Sequence, residues 1–250
     1  MSLGTIQQCL GRAEQVFALQ GGVTVIEGEA ARRAYYYCKR VLDTSLSLLL
    51  LALLSPLMLI IAVMIKLDSR GPVLFAAERV GCRPQFRDGR GFYFLRHFCC
   101  YKFRSMTAGA DHTLHQASVR DFVNGSAKLS GNGTFKCARD PRVTRIGRLL
   151  RKASLDELPQ LLNVLKGEMS LVGPRPVPPY EAAHYQEPQF GRLAALPGIT
   201  GLWQVSGRCK LSFNQMIALD LEYVRRASLW LDLKIMFRTI PAVISARGAE

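Results

Sequence analysis

Two adjacent carboxylates, Asp156 and Glu157, are the residues of this chain whose type and setting point most clearly to chemistry. They lie within a chain whose formal net charge is +14. A carboxylate can attack a diphosphate and hold the phosphoryl group as an acyl phosphate, which divides one difficult displacement into two easier ones. Because a cationic chain attracts phosphorylated partners, the pair could carry phosphoryl transfer, with Asp156 as the nucleophile and Glu157 as a Mg²⁺ ligand.

The same acids have a purely structural interpretation, a capping box at the start of a helix. Ser154 and Glu157 have the required spacing, in which the hydroxyl and the carboxylate each satisfy a free backbone amide, and the helix dipole favours acids there. Pro159 predicts that the helix is kinked or restarts at this residue. Both interpretations place the acids beside exposed amides, where a phosphate could bind.

Arginines at three places could neutralise phosphate charge during such a transfer, since a guanidinium binds phosphate through two hydrogen bonds. Arg151 precedes the acids, Arg175 lies in a Pro-Arg-Pro loop and Arg208 follows a strand-like piece between glycines. Residues 101–106 alternate apolar and cationic side chains, which predicts an extended segment with one face toward an anion. Neither common Gly-rich nucleotide loop occurs in the sequence, so a nucleotide must be held in another way.

The positive charge begins at Lys39, because three arginines and three glutamates cancel within residues 1–38. Nucleic acid, an acidic membrane surface and phosphorylated substrates all match such a charge. Seven cysteines without Cys-x-x-Cys spacing indicate free thiols in a reducing compartment. His112 and His115 are three residues apart, but no paired cysteine or HExxH pattern accompanies them, so they do not predict a metal site.

An uncharged stretch, residues 45–65, predicts a membrane segment. Its 21 residues would form a helix of about 31 Å, close to the hydrocarbon thickness. Near its centre are Ser55 and Pro56, where proline interrupts the hydrogen-bond ladder and the serine hydroxyl can satisfy the freed carbonyl. A single spanning helix is the ordinary interpretation, but both flanks are basic and would place positive charge outside. The sequence therefore favours a re-entrant helix that enters and leaves on the cytoplasmic side.

Short strands and helices are predicted in the cationic remainder. Residues 73–75 and 92–95 predict strands on either side of a turn-rich excursion, residues 79–91. A strand from Met169 leads to the Arg175 loop, and a second strand-like piece begins at Pro197.

Two helical regions have amphipathic patterns. Residues 142–152 predict a basic amphipathic helix. It either packs one face on the core with the other in solvent or lies at the level of the lipid headgroups, and the neighbouring membrane segment favours the headgroup position. Residues 161–167 predict a helix that ends at Gly167. Residues 213–246 predict helices with an apolar face against the core or the bilayer.

Seven motifs occur in order between about residues 38 and 247. They are Lys39-Arg40-x-x-Asp43, the Ser55-Pro56 break, Lys102-Phe-Arg104, Arg139-Asp-Pro-Arg-Val-Thr-x-Ile-Gly147, Ser154-Leu-Asp-Glu-Leu-Pro-Gln160, Gly173-Pro-Arg-Pro176 and Pro197-Gly-Ile-Thr-Gly-Leu-Trp203. In this combination the chain resembles the bacterial sugar transferases, the small monotopic phosphoglycosyl transferases.

The resemblance implies that a hexose-1-phosphate moves from a UDP-hexose onto undecaprenyl phosphate with release of UMP, the first membrane step of exopolysaccharide or capsule assembly. It implies a covalent phosphosugar on Asp156, Mg²⁺ at Glu157 and ping-pong kinetics. By position it assigns substrate or phosphate contacts to Lys102, Arg104, Arg151, Arg175, Arg208 and Asp232. The expected location is the bacterial inner membrane, with the catalytic domain on the cytoplasmic face in contact with lipid. No nucleic-acid partner is expected, and a homodimer is left open.

The predicted fold is α/β (α+β), a compact and mostly helical catalytic domain with a small sheet, anchored by the re-entrant helix and by interfacial amphipathic helices. Residues 1–38 would form an N-terminal arm, residues 39–67 the membrane helix broken at Ser55-Pro56, and residues 68–250 the catalytic domain. One departure from the family pattern is Pro84 in place of a glycine, followed by an insertion at roughly residues 88–98. For this reason the sequence does not predict which sugar is transferred.

Two other functions are open on the sequence alone. A membrane-tethered nucleic-acid-binding protein would explain the charge, but the sequence has neither zinc spacing nor a recognisable reading helix. A scaffold protein of a polysaccharide-assembly complex that has lost its catalytic activity would explain the insertion. Against it, both acids and all the arginines remain.

Overall fold

The computed structural model describes residues 29–87, 90–107, 140, 142–207 and 211–244. The helices in these ranges are α1 (Glu29–Asp68), α2 (Arg145–Lys152), α3 (Gln160–Lys166), α4 (Pro179–Ala182), α5 (Glu187–Phe190), α6 (Leu202–Ser206), α7 (Phe213–Arg226) and α8 (Leu229–Ile244). The strands are β1 (Leu74–Arg87), β2 (Arg90–Phe103), β3 (Ser170–Val172) and β4 (Gly198–Thr200). This mostly helical arrangement with small sheets confirms the predicted α/β class.

Helix α1 begins ten residues before the predicted membrane helix and continues through Pro56. Residues 29–38 are therefore helical, whereas the rest of the predicted N-terminal arm lies outside the described residues. Pro56 has no N–H to donate to the carbonyl of Ala52, four residues earlier. The Ser55 hydroxyl donates to that oxygen instead, at 2.9 Å. The serine therefore satisfies the carbonyl that the proline frees, as predicted. The predicted break at Ser55-Pro56 was wrong, because with this carbonyl satisfied the helix continues through both residues.

Both ends of the apolar part of α1 contact the rest of the protein. Toward its start, the amide of Leu171 donates to Asp43 Oδ1 at 3.1 Å. Toward its end, Ile61 and Ile65 are buried with Phe103 and Leu150. The middle is exposed, with more than half of the surface open at Leu48, Leu49, Leu53, Leu59 and Ile60. The middle of α1 therefore exposes an apolar surface, while both ends of its apolar part are held by contacts with the rest of the protein.

Strands β1 and β2 form one long antiparallel hairpin, with Leu74 opposite Phe103 and Arg87 opposite Arg90. The prediction of a turn-rich excursion was wrong because strand pairing continues through it. The inserted residues supply the second strand, so that Pro84, for example, lies opposite Tyr93. The insertion therefore lengthens the hairpin.

The core centres on the short parallel pair β3 and β4, where Val172 lies opposite Thr200. The two strands approach so closely that a Cβ on Gly198 would lie 2.1 Å from the backbone nitrogen of Gly173. The predicted strand before the Arg175 loop is confirmed. The second strand-like piece ends at Thr200, and the chain then forms α6. The sheet delivers the Arg175 loop to one edge of the core.

Candidate active site

The two acids lie in a 3-10 helix, Leu155–Glu157, between α2 and α3. Ser154 precedes them with a φ of 56°, a left-handed conformation that is uncommon for a residue other than glycine. Its hydroxyl makes no capping hydrogen bond, so the predicted capping box was wrong. The reason is that an N-cap residue needs an extended backbone, which Ser154 does not have. Such strain is concentrated at functional sites.

Asp156 is a nearly buried carboxylate, 9 % exposed. Burial raises its pKa above the usual aspartate value, and the negative charge of Glu157 raises it further. Lys102, Arg151 and Arg175 act in the opposite direction and lower it. The site therefore brings one desolvated acid within the electrostatic reach of three cations contributed by separate segments.

Glu157 is held by Lys102 from the hairpin, with 2.6 Å between Lys102 Nζ and Glu157 Oε1. The two side chains are 17 % and 21 % exposed, so the pair is accessible from solvent. The predicted extended segment positions it, because alternation along β2 directs Lys102 and Cys100 to the same face.

Arg151 is positioned by the packing of α2 on the chain that follows β2. Arg151 Nε donates to Ser105 Oγ at 2.9 Å. A Cβ on Gly147 would lie 2.0 Å from the Ser105 carbonyl oxygen, so only glycine permits this approach. Thr144 caps the helix by accepting from the Gly147 amide at 3.0 Å. The predicted amphipathic helix is confirmed, but it starts three residues after the first predicted arginine, Arg142.

A cleft lies beside Lys102 and Glu157. Its lining comprises Arg79, Cys100, Lys102, Glu157, Gln160, Arg175, Pro176, Gly198, Ile199 and Gln204. The hairpin forms one wall, and the β3–β4 edge with the Arg175 loop forms the other. Basic side chains on both walls make the cleft suited to an anionic ligand of small size.

The family described as bacterial sugar transferase matches residues 34–246. The chain belongs to this family. Among its relatives, the undecaprenyl-phosphate galactose phosphotransferase of Salmonella typhimurium is 40% identical over 224 residues, which are 90% of this chain and 44% of that protein. The exopolysaccharide production protein ExoY of Rhizobium meliloti is 42% identical over 211 residues, 84% of this chain and 87% of that protein. The UDP-glucose:undecaprenyl-phosphate glucose-1-phosphate transferase of Caulobacter vibrioides is 39% identical over 249 residues, 96% of this chain and 80% of that protein.

Against some of these relatives the chain is short. It spans about half the length of the Salmonella protein and of the UDP-galactose-lipid carrier transferase of Erwinia amylovora, covering 44% and 46% of them.

Two residues that the resemblance assigned to substrate lie outside the cleft of this sugar transferase. Arg104 is 5 % exposed, and its Nη2 donates to the carbonyl of Ser69 at 2.7 Å, so it holds the chain just after α1. Asp232 is 1 % exposed and accepts from Lys39 Nζ at 2.7 Å and from the Tyr35 hydroxyl at 2.9 Å. The geometry gives both residues contacts within the protein instead of contacts with a ligand.

One other predicted residue, Arg208, cannot be placed in the site, because it lies outside the described residues. The two histidines that did not predict a metal site, His112 and His115, also lie outside them. Conversely, the sequence interpretation missed Arg79, which lines the cleft, because it assigned that residue to a turn-rich segment. Recognising strand alternation through Phe75 and Ala77 would have placed Arg79 on the same face.

The carboxylates of the candidate site are compatible with the Mg²⁺ that the family resemblance implies. Within the described ranges no group of three or more His, Cys, Asp or Glu could hold a metal ion alone. Mg²⁺, however, is commonly held by one or two carboxylates together with substrate phosphates and water. Asp156 and Glu157 provide two adjacent carboxylates beside a basic cleft, which suits a metal that arrives with a phosphorylated ligand.

Proposed function

We propose that this chain transfers a hexose-1-phosphate from a UDP-sugar to undecaprenyl phosphate and releases UMP. The observation that carries the proposal is the cleft lined by Lys102, Glu157 and Arg175, beside the buried carboxylate of Asp156. The names of the Salmonella and Caulobacter relatives, which specify undecaprenyl phosphate and galactose or glucose, support the acceptor and the hexose class.

In the first step, a carboxylate oxygen of Asp156 attacks the phosphorus that bears the sugar. The bond from that phosphorus to the bridging oxygen breaks, and UMP leaves with the electron pair. Lys102, Arg151 and Arg175 neutralise charge on the phosphoryl oxygens, and because they are already in place, little reorganisation is needed during the reaction.

In the second step, a phosphate oxygen of the lipid attacks the same phosphorus. The bond to Asp156 breaks, which restores the carboxylate and gives a lipid diphosphate sugar. Glu157 would hold Mg²⁺, and the ion would supply positive charge to neutralise phosphate oxygens. Lys102 fixes the Glu157 carboxylate through its 2.6 Å contact.

A monotopic course for α1, with both ends on the cytoplasmic face, fits this chemistry. The helix is long and apolar enough to cross a membrane, which together with the lipid-linked relatives indicates membrane association. A spanning helix would separate its ends by the bilayer. Instead, Asp43 and Ile65, on either side of the exposed apolar part, both contact the rest of the protein. This arrangement supports a re-entrant helix that leaves the cleft facing the membrane surface from the cytoplasm.

The reaction is tested by measuring UMP release from a panel of UDP-sugars with undecaprenyl phosphate and Mg²⁺. Wild-type protein should release UMP with at least one UDP-hexose, which also identifies the sugar. Asp156→Asn should abolish release, whereas Glu222→Gln, a control acid that is 44 % exposed and paired with Arg226 at 2.7 Å, should retain it. Full turnover by Asp156→Asn would rule out a covalent intermediate on this residue. If wild-type protein releases no UMP with any sugar, the proposed reaction is wrong.

The membrane course is tested by labelling thiols with a membrane-impermeant maleimide in intact spheroplasts, followed by peptide mapping. Cys38 is exposed, and Leu67→Cys places a second thiol at a residue that is 84% exposed beyond the apolar stretch. The re-entrant course predicts that both react only after permeabilisation. Reaction of either one from the periplasmic side alone would establish a spanning helix.

A further inference from the structure

Arg79 is a cleft residue to which neither the sequence motifs nor the proposed mechanism gives a role. Its only hydrogen bond among the described residues is from Nη1 to the adjacent carbonyl of Glu78, at 3.3 Å. Burial is the largest influence on its pKa and lowers it, and repulsion from Arg175 lowers it further. A cation removed from water is unfavourable unless an anion compensates it.

The acids nearest to Arg79 are engaged elsewhere. Glu78 Oε1 lies 2.6 Å from His97 Nδ1. Glu181 accepts from the Tyr185 hydroxyl at 2.6 Å and lies 3.6 Å from Arg192. The chain thus leaves Arg79 without a carboxylate partner within the described residues, although it lines an open cleft.

Two buried cations of the fold, Arg192 and Lys39, have carboxylate partners. Arg192 Nη2 lies 2.6 Å from Asp220 Oδ2, with both side chains almost fully buried. Lys39 is paired with Asp232 in the same manner. Arg79 differs from these residues in facing a cleft, which indicates that its anion is brought by a ligand.

The hairpin register places Arg79 at the opposite end of the cleft from the acids. Phe75 lies opposite Lys102, Ala77 opposite Cys100 and Arg79 opposite Phe98. Opposed residues share a face, so the Arg79, Cys100 and Lys102 side chains follow one another along the same wall. Four residues separate Arg79 from the Lys102 position, which corresponds to about 13 Å along the strand.

The order of the side chains along this wall suits a displacement at phosphorus. The attacking and leaving oxygens lie roughly in line on opposite sides of the phosphorus. Lys102 marks the attacking side, because it holds Glu157 next to Asp156. The leaving phosphate must therefore extend away from Asp156. Arg175 lines the same cleft as Arg79, Lys102 and Glu157, so it can serve both sides.

We propose that Arg79 and Arg175 form a second anion subsite, which binds the phosphate that leaves as part of the nucleoside monophosphate. The inference rests on the proposed function and adds a residue for the leaving group. The Arg79 guanidinium binds this phosphate through its forked N–H groups and compensates the charge that appears on it when the bond to the sugar-bearing phosphorus breaks. The same contact makes the monophosphate a product that binds the free enzyme.

The test is equilibrium binding of UMP and of uridine to the full-length detergent-solubilised protein, without acceptor lipid. Arg79→Gln should weaken UMP binding about tenfold or more, the effect of losing a charge-assisted contact, and leave uridine binding unchanged. The UMP affinity of Arg79→Lys should lie between those of wild type and Arg79→Gln, since lysine keeps the charge but lacks the forked N–H groups of arginine. Arg83→Gln, an exposed arginine on the same strand, should match wild type.

Three results would overturn the subsite: UMP affinity of Arg79→Gln within twofold of wild type, an equal loss of uridine and UMP affinity, or no UMP binding by wild-type protein. If Arg79→Gln does not fold, as judged by its melting transition, Arg79→Lys decides by the same criterion. UMP release from UDP-sugars is measured in parallel. Arg79-dependent UMP binding without any release would reject the reaction and keep the subsite, whereas release with unaltered UMP binding in Arg79→Gln would reject the subsite alone.

Discussion

Two lysine–carboxylate pairs in this protein have almost the same length but different surroundings. Lys39 and Asp232 are 2.7 Å apart with side chains 4 % and 1 % exposed, whereas Lys102 and Glu157 are 2.6 Å apart with side chains 17 % and 21 % exposed. Asp232 also accepts hydrogen bonds from two tyrosines. The first pair is sealed and supported by further hydrogen bonds, and the second opens onto the cleft. Access for a ligand, rather than the length of the pair, therefore distinguishes the structural contact from the one for which we propose a catalytic role.

The sealed pair joins the membrane helix to the active-site edge. Lys39 belongs to α1 and Asp232 to α8, and the Tyr223 hydroxyl lies 2.8 Å from Asp232 Oδ1 and 3.1 Å from the carbonyl of Val172. Val172 is the last residue of β3, directly before the loop of Arg175. A change in the sealed pair should therefore act on stability first and on catalysis through this loop.

The largest expected effect on stability is that of Lys39→Met. This substitution leaves the Asp232 carboxylate buried without its cation, which destabilises a protein by about 3–5 kcal/mol. The free energy of unfolding is measured by chemical denaturation in detergent. As a control, Lys39→Met combined with Asp232→Leu removes both charges and should recover most of the loss. A single variant within about 1 kcal/mol of wild type would contradict the structural role of the pair.

The open pair should behave in the opposite way. Glu157→Gln and Lys102→Met should each lower UMP release by about 100-fold, since a charge that acts on the reacting phosphate contributes that much. Stability should change by less than about 1 kcal/mol, because partly exposed ion pairs contribute little. Release assays and denaturation are compared on the same preparations. Loss of stability matching that of Lys39→Met would show that the two pairs do not differ in kind.

The pH dependence of kcat/KM should reflect the burial of Asp156. Its pKa is raised mainly by burial, and only the ionised carboxylate can attack. Activity should therefore fall, as the pH is lowered, at a higher pH than an ordinary aspartate would give. The sign for stability is the reverse, because a raised acid pKa stabilises the folded state below the unfolded pKa and loses that contribution as the pH rises through the folded pKa. An acid limb of kcat/KM at the ordinary aspartate value would contradict the burial of the nucleophile.

The smallest effect is expected at a third, solvated pair. Arg226 and Glu222 are 2.7 Å apart on one face of α7, with side chains 71 % and 44 % exposed. Arg226→Gln should change the free energy of unfolding by less than about 0.5 kcal/mol and leave UMP release unaltered. A change of several kcal/mol would mean that the solvent exposure of an ion pair does not predict its contribution to the free energy of unfolding.

Local features of the fold were predictable from short stretches of sequence. Gly167 ends α3 with a φ of 75°, α3 restarts directly after Pro159, and Ser55 satisfies the carbonyl that Pro56 frees. Each depends on the chemistry of residues a few positions apart. Glu157 and Arg175, which were singled out from local motif and loop chemistry, lie along one cleft.

Features that depend on distant partners were not predictable. Lys39 and Asp232 are 193 positions apart, so Asp232 was assigned to substrate when its charge is in fact used within the core. Arg79 was assigned to a turn, because the strand that pairs with it comes from the insertion. The left-handed conformation of Ser154 also has no local signal in the sequence. For Asp232 and Arg79 a tertiary contact overrides the local pattern.

The most direct test of the central claim is intact-mass spectrometry of the protein quenched after incubation with UDP-sugar alone, without lipid acceptor. The account predicts a mass increase of one hexose phosphate, located on Asp156 by peptide mapping, absent from Asp156→Asn and discharged by adding undecaprenyl phosphate. An unmodified mass under conditions that support UMP release with acceptor would contradict the covalent mechanism.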